Sequence, residues 1–297
     1  MTKTATGLGK ELDHILRPGE PLAQHTWLRL GGPAEYFAEP TSVEELSALV
    51  RRCREQNLPI RILGGGSNLL VRDEGVHGVV ARLDAPAFSQ IQVKGDRAIA
   101  GGGAKLGHVI SVAVREGLAG LEPLVGIPGT IGGALHGNSG SRGGDLGQWT
   151  CRATVMTRSG EIIERGRNDM VFAYRQSSLD ELVILEGEFQ LEPENPQELT
   201  KRMQKQWIVK KAGQPMTHQN SGCIFKNPRG LSAGMLIETA GVKTTRVGGA
   251  EVSDRHANFI ITSPEATSKD VLKLIDLVRS RVAERLGVEL ETEIEIW

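Results

Sequence analysis

Residues 61–71 read Arg-Ile-Leu-Gly-Gly-Gly-Ser-Asn-Leu-Leu-Val: an apolar run, three glycines, Ser67 and Asn68, then a second apolar run. Residues without a Cβ let the backbone turn through φ > 0 and let another group approach closely, which opens several N–H groups to an anion such as a diphosphate. The spacing lacks the Gly-Lys-Ser/Thr ending of a P-loop, and no helical pattern follows as a Gly-x-Gly-x-x-Gly dinucleotide fingerprint requires. A plain hairpin bend is the competing reading of the turn. A second cluster, Gly126-Ile-Pro-Gly-Thr-Ile-Gly-Gly133, weighs for the anion site. The 37 glycines among 297 residues gather in such turns, so backbone approaches something closely at several places.

Charge narrows the partners. With 35 basic and 36 acidic residues the net charge is −1, so no whole-protein field favours nucleic acid or an anionic membrane, and small molecules are expected. Cys53, Cys151 and Cys223 are odd in number and show no C-x-x-C spacing, which argues against a disulfide framework and a metal site and for a reducing cytoplasm. The first residues hold no apolar signal region. The charge-poor stretch 117–140 is broken by glycines, Pro123 and Pro128, so a buried, turn-rich segment fits it better than a membrane span.

Periodicity supplies the elements. Leu8, Leu12, Ile15 and Leu16 suggest a leading helix, and 25–33 and 34–39 read as short strands. Ser42 followed by Glu45 has capping-box spacing for a helix burying Leu46, Leu49, Val50 and Cys53, which closes near Asn57 before a strand over 59–63. Strands and hairpins are expected over 79–103, a helix over 105–116, and strands over 150–158, 161–164 and 183–191. The charged, proline-bearing linker 192–196 suggests a boundary, giving a helical extension over 1–24 and domains over 25–192 and 193–297. Beyond it come a helix over 196–211 with Leu199, Met203, Trp207 and Ile208 on one face, a strand near 223–225, a helix over 232–240, strands over 249–252 and 259–262, a helix over 268–286, and a final strand over 288–297 that can pack back on the first lobe. The basic face of the 196–211 helix reads as a solvated surface.

Taken in order, Leu63-Gly-Gly-Gly-Ser-Asn68, Gly126-Ile-Pro-Gly-Thr-Ile-Gly-Gly133, Phe172-Ala-Tyr-Arg175 with Ser177, Ser221-Gly-Cys-Ile-Phe-Lys-Asn-Pro228 and Leu290-Glu-Thr-Glu293 resemble the motif set of the UDP-N-acetylenolpyruvoylglucosamine reductases, the MurB family. The likeness runs over nearly the whole chain from about His25. It implies an α+β chain: a two-lobed FAD-binding domain of the vanillyl-alcohol oxidase/p-cresol methylhydroxylase type, then a C-terminal α+β substrate domain. It further implies a cytoplasmic, monomeric flavoenzyme of cell-wall precursor synthesis that uses non-covalent FAD and NADPH on the enolpyruvyl ether of UDP-N-acetylglucosamine. By the same resemblance Gly64, Gly65, Gly66, Ser67, Asn68 and Leu69 hold the FAD diphosphate, and Gly126, Ile127, Pro128, Gly129, Gly132 and Gly133 wrap the cofactor further along. Arg175, Cys223 and Glu293 match the catalytic positions, with cysteine standing where many relatives carry serine. Lys211, Asn227 and His256 match substrate contacts. Only 47 residues separate Arg175 from Cys223 and none is tyrosine, which resembles the shorter subgroup without a tyrosine-bearing flap.

Each catalytic residue has a plainer reading beside it. Arg175 can clamp a carboxylate on which charge develops, or sit in a surface ion pair. Cys223, with an ordinary thiol pKa near ~8.5, can donate a proton, or be a small buried hydrophobe. Glu293 alternates with Glu289, Glu291 and Glu295 as on a strand with one wet face, so a role beside a dianion requires a paired cation or a bound proton. Another FAD-linked oxidase or dehydrogenase of the same fold, acting on a small alcohol or sugar and tethered through His77, His108 or His136, is the main rival. A non-catalytic nucleotide-sugar binding protein is the other.

Overall fold

The computed structural model describes residues 7–297, so residues 1–6 of the expected extension lie outside it. By internal packing the chain forms two units, one of residues up to 19, 35–65 and 77–209, the other of 20–34, 66–76 and 210–297.

In the first unit, a five-stranded antiparallel sheet runs in the order Ile162–Gly166, Thr150–Met156, Val183–Gln190, Arg97–Gly101, Ile91–Lys94. The helix Leu106–Arg115 lays Leu106, Val109, Ile110 and Ala113 against it, and Gly117, at φ 72°, ends that helix's turn as the sequence suggests. The helix Val43–Glu55 buries Leu46, Leu49, Val50 and Cys53. Ser42 Oγ caps it by accepting the Glu45 N–H at 3.2 Å, while the Glu45 carboxylate takes the Thr41 N–H at 2.7 Å. Burial pushes the Cys53 thiol up to about 11, so it is an inert core group.

Within the five-stranded sheet Glu188 is 3% exposed and bridged by Arg152 at 2.6 Å and Arg97 at 2.5 Å. Burial pushes its carboxyl up, but the two guanidinium groups outweigh that and hold it below the usual range. A depressed carboxyl contributes stability above its unfolded pKa and loses it as pH falls through the folded value. Glu188→Gln is therefore expected to lower stability at pH 7 by about 1–3 kcal/mol and to flatten the acid limb below about pH 4, measured as urea midpoints across pH. An acid limb identical to that of the parent would count against the pairing.

The second unit packs the helices Ala233–Thr239 and Ser268–Leu286 against a sheet in the order Gln219–Cys223, Phe259–Thr262, Ala250–Val252, Arg246–Val247. The long helix starts on a full capping box between Thr267 and Asp270 and ends on left-handed Gly287.

Four expectations need correction. The leading segment is a short 3-10 turn, Lys10–Ile15, and then a strand, Leu16–Pro21, because Pro18, Gly19 and Pro21 cannot continue a helix. Residues 25–33 are a 3-10 end and a loop: the Thr26 hydroxyl donates to the Leu30 carbonyl at 2.9 Å and accepts its N–H at 3.2 Å, and Arg29 is left-handed at φ 57°. The face expected on the linker helix, Pro196–Gly213, is sunk only at Leu199 and partly at Met203, whereas Trp207 is 40% and Ile208 66% exposed. Among the described residues the final segment pairs only at Thr292, opposite Phe225, and over Glu295–Ile296.

Candidate active site

The strands flanking the three glycines do not pair with each other. Ile60–Leu63 runs parallel to Val76–Arg82, and Leu69–Leu70 runs parallel to Glu295–Ile296. The hairpin reading therefore fails. A Cβ at Gly65 would lie 2.8 Å from the Gly129 Cα, so the two glycine clusters press backbone to backbone. At Gly66, φ is 62° and a Cβ would come within 2.0 Å of the His25 carbonyl oxygen. The N–H groups of Gly65, Gly66 and Ser67 donate to no protein acceptor among the described residues. Unfilled donors on a turn that excludes side chains suit a diphosphate, so the residues present fit the anionic centre of FAD.

Arg175 occupies the second turn position of a tight hairpin, Phe172–Ala173 with Gln176–Ser177. It is left-handed at φ 55°, and its guanidinium lies 5.2 Å from the Tyr174 ring centroid. A non-glycine residue held there costs about 1–2 kcal/mol, and such strain collects at functional sites. The hairpin is anchored by Asn138, 1% exposed, whose amide donates to the Ala173 carbonyl at 2.8 Å and accepts the Gly147 N–H at 2.9 Å.

In the second unit Cys223 ends a strand whose register against Phe259–Thr262 shifts between Asn220 and Cys223, with Gly222 at φ 77°. Such a bulge re-aims a side chain. Asn258, 2% exposed, fixes the two residues after the cysteine: it accepts the Phe225 N–H at 3.0 Å, donates to the Phe225 carbonyl at 2.8 Å, and its own carbonyl accepts the Ile224 N–H at 2.9 Å. The Glu293 N–H donates to the Ile224 carbonyl at 2.7 Å, which puts Glu293 on the chain segment alongside Cys223. Glu293 is half-buried, whereas Glu289, Glu291 and Glu295 are exposed, so the structure separates it from the glutamates it alternates with.

The substrate candidates are less gathered. His256 is half-buried, accepts the Asn258 N–H at 3.2 Å through Nδ1, and packs edge-on to Phe259 with centroids 4.8 Å apart. Burial holds its pKa below the ordinary value, so the ring is neutral at pH 7. Asn227 is exposed and its side-chain carbonyl takes the Ala233 N–H at 2.9 Å. Lys211 lies exposed near the end of its helix.

Sequence reasoning singled out neither Asn138 nor Asn258. Ser221 it noted only as part of a motif, yet the residue is 2% exposed and its Oγ has no hydrogen-bond partner among the described residues. That hydroxyl, buried beside the Cys223 bulge, is a polar group that its protein neighbours leave unsatisfied.

Comparison with known proteins decides among the rivals. Residues 34–166 match the profile of the FAD binding domain, and residues 214–297 match that of the UDP-N-acetylenolpyruvoylglucosamine reductase C-terminal domain. UDP-N-acetylenolpyruvoylglucosamine reductase 2 of Symbiobacterium thermophilum is 44% identical over 95% of this chain and 92% of its own length. The chain belongs to the UDP-N-acetylenolpyruvoylglucosamine reductase family. A solved structure of this reductase, MurB, from Thermus caldophilus superposes with a TM-score of 0.81 at 37% identity, covering 95% of this chain and 98% of that one. The glucose dehydrogenase Phl p 4.0202 covers 95% of this chain and 62% of its own at a TM-score of 0.51 and 15% identity, a likeness of fold alone. The expected architecture, an FAD-binding domain of the vanillyl-alcohol oxidase type followed by the family's α+β C-terminal domain, holds, and the chain is an FAD-dependent oxidoreductase. Between Arg175 and Cys223 the described chain is occupied by the hairpin strand, Val183–Gln190, Glu192–Pro193, Pro196–Gly213 and the strand to Cys223.

Proposed function

We propose that Arg175, Cys223 and Glu293 carry the reduction of the enolpyruvyl ether of UDP-N-acetylglucosamine to UDP-N-acetylmuramate, the NADPH-dependent step of peptidoglycan precursor synthesis that defines the family. The observation that carries the reading is the 2.7 Å bond from the Glu293 N–H to the Ile224 carbonyl, which sets a carboxyl beside the segment bearing the candidate acid. When bound, FAD would supply the redox chemistry, the transfer of a hydride drawn from NADPH to the terminal vinyl carbon. The turn 64–69, through its unfilled N–H groups, receives the diphosphate, and 126–133 lines the cofactor further along. Arg175 presents a permanently charged planar fork to the substrate carboxylate as that group takes on enolate charge. Cys223 Sγ gives its proton to the carbon bearing the ether oxygen and regains one from solvent. Glu293 holds a proton or pairs with a cation on that side of the substrate, since a bare carboxylate would repel the dianion. Lys211, Asn227 and His256 contact the nucleotide or sugar, with neutral His256 acting as a hydrogen-bonding group.

On this reading 25–192 is the FAD-binding domain and 193–297 the substrate domain of a cytoplasmic monomer without nucleic-acid partners. No helix among the described residues is long and apolar enough to cross a membrane. FAD is expected free in the supernatant after denaturation. Stopped-flow spectroscopy tests the arginine: Arg175→Ala leaves NADPH bleaching intact and slows substrate-dependent reoxidation by about 10²–10³. Arg175→Lys, a point charge without the fork, recovers part of that. Reoxidation of Arg175→Ala at the parent rate would remove Arg175 from the chemistry.

A further inference from the structure

We infer that Asn68 is a positioning residue for Glu293, a role that rests on the one proposed above for Glu293. The Asn68 side-chain amide donates to the Glu293 carbonyl at 3.0 Å, and the Asn68 backbone carbonyl accepts the Glu295 N–H at 3.1 Å. Residue 68 thus grips the chain on both sides of Ile294. The opposite edge of the same segment is held by the Glu293 N–H on the Ile224 carbonyl at 2.7 Å. The N–H and the C=O of Glu293 are therefore both fixed, by two different parts of the chain. With its own peptide groups pinned, the direction of its Cα–Cβ bond, and so the region its carboxyl can reach, is set.

Two features make the grip matter. The parallel pairing it opens joins Glu295 to Leu69 and Ile296 to Leu70, and on the other edge, among the described residues, there is one bridge, Thr292 to Phe225, so few ladder bonds oppose a tilt of the segment carrying Glu293. Asn68 is also exposed, so water could satisfy its amide without this bond, and burial does not force the contact. The structure directs the Asn68 side chain to Glu293 and leaves the neighbouring backbone N–H groups of Gly65, Gly66 and Ser67 for an anion. One turn then serves two tasks: its backbone faces the cofactor diphosphate, and its last polar side chain orients an acid residue.

The test compares Asn68→Ala and Asn68→Asp with the parent, each alone and combined with Glu293→Gln. The readouts are FAD dissociation constant, thermal midpoint, rate of flavin bleaching by NADPH, and rate and pH profile of reoxidation by the enolpyruvyl substrate. A misplaced acid group is expected to slow reoxidation by about 10- to 100-fold beyond any change in bleaching or FAD affinity, and to shift the limb of the pH profile that Glu293→Gln removes. Asp, which cannot donate to a carbonyl, behaves as Ala or worse. In the Glu293→Gln background Asn68→Ala adds no further slowing, since both act on one group. Weakened FAD binding and slowed bleaching with a parent-like pH profile would make Asn68 a cofactor ligand instead and overturn the inference, as would additive slowing or no slowing. If Glu293→Gln alone reoxidises at the parent rate with an unchanged pH profile, the role of Glu293 falls first; slow Glu293→Gln with fast Asn68→Ala sinks only the claim made for Asn68.

Discussion

Replacing Cys223 with alanine leaves the flavin reducible by NADPH and stalls its reoxidation by substrate, with the second half-reaction slowed by about 10²–10⁴, the usual worth of a positioned general acid. Cys223→Ser keeps turnover, because a hydroxyl on the same Cβ reaches the same carbon and can pass on the same proton. The two variants together separate proton donation from packing. The bulge between Asn220 and Cys223 and the bonds from Asn258 hold the backbone there whichever small side chain is present, so alanine leaves no misfolded strand to blame. Single-turnover mixing of NADPH-reduced enzyme with substrate gives the rate directly. An alanine variant that reoxidises as fast as the parent would exclude the thiol from the reaction.

Gly66→Ala is expected to yield protein that neither holds FAD nor melts where the parent does. Two effects add: a left-handed residue with a side chain costs about 1–2 kcal/mol, and a Cβ placed 2.0 Å from the His25 carbonyl oxygen forces backbone to move, at about 1–3 kcal/mol more. The thermal midpoint should fall by roughly 5–15 °C. Displacing the turn that offers its N–H groups should weaken FAD binding by at least about tenfold, read by fluorescence titration. Gly95 supplies the control. It has the same φ of 62°, yet nothing lies within 4 Å of where its Cβ would be. Gly95→Ala therefore carries the conformational cost without the collision and should retain its flavin. Equal behaviour of the two variants would show that close approach is not what Gly66 provides.

The sequence was most readable where local chemistry decides the outcome. Ser42 before an apolar stripe and Gly117 after a periodic run each mark their helix, since caps and stops act within a turn of the residues that make them. It was least readable where partners come from far away. Residues 25–33 alternate like a strand but are shaped by Thr26 bonding to Leu30, and the last ten residues alternate like one yet, among the described residues, pair in short pieces, Thr292 with Phe225 and Glu295–Ile296 with Leu69 and Leu70. The same limit applied to the candidate site. Glycine clusters and the residues Arg175 and Cys223 stood out through ordered motifs, whereas Asn138 and Asn258 are single amides whose value lies in carbonyls they reach 35 and 33 residues away. One signal was present: an asparagine two residues after His256, in a run otherwise turning apolar, is an odd occupant for a strand entrance unless its amide has a backbone to bind.

The bond from Asn68 to Glu293 closes a loop of 225 positions. At ~5–20 residues per second of synthesis, roughly 11–45 s pass on the ribosome between the emergence of the glycine turn and that of its distant partner. Throughout that interval the edge at Leu69 and Leu70 has no neighbour to pair with, and the acid-bearing segment does not yet exist. A nascent chain thus carries its glycine turn, and later Cys223, well before the segment that Asn68 is to hold has been made.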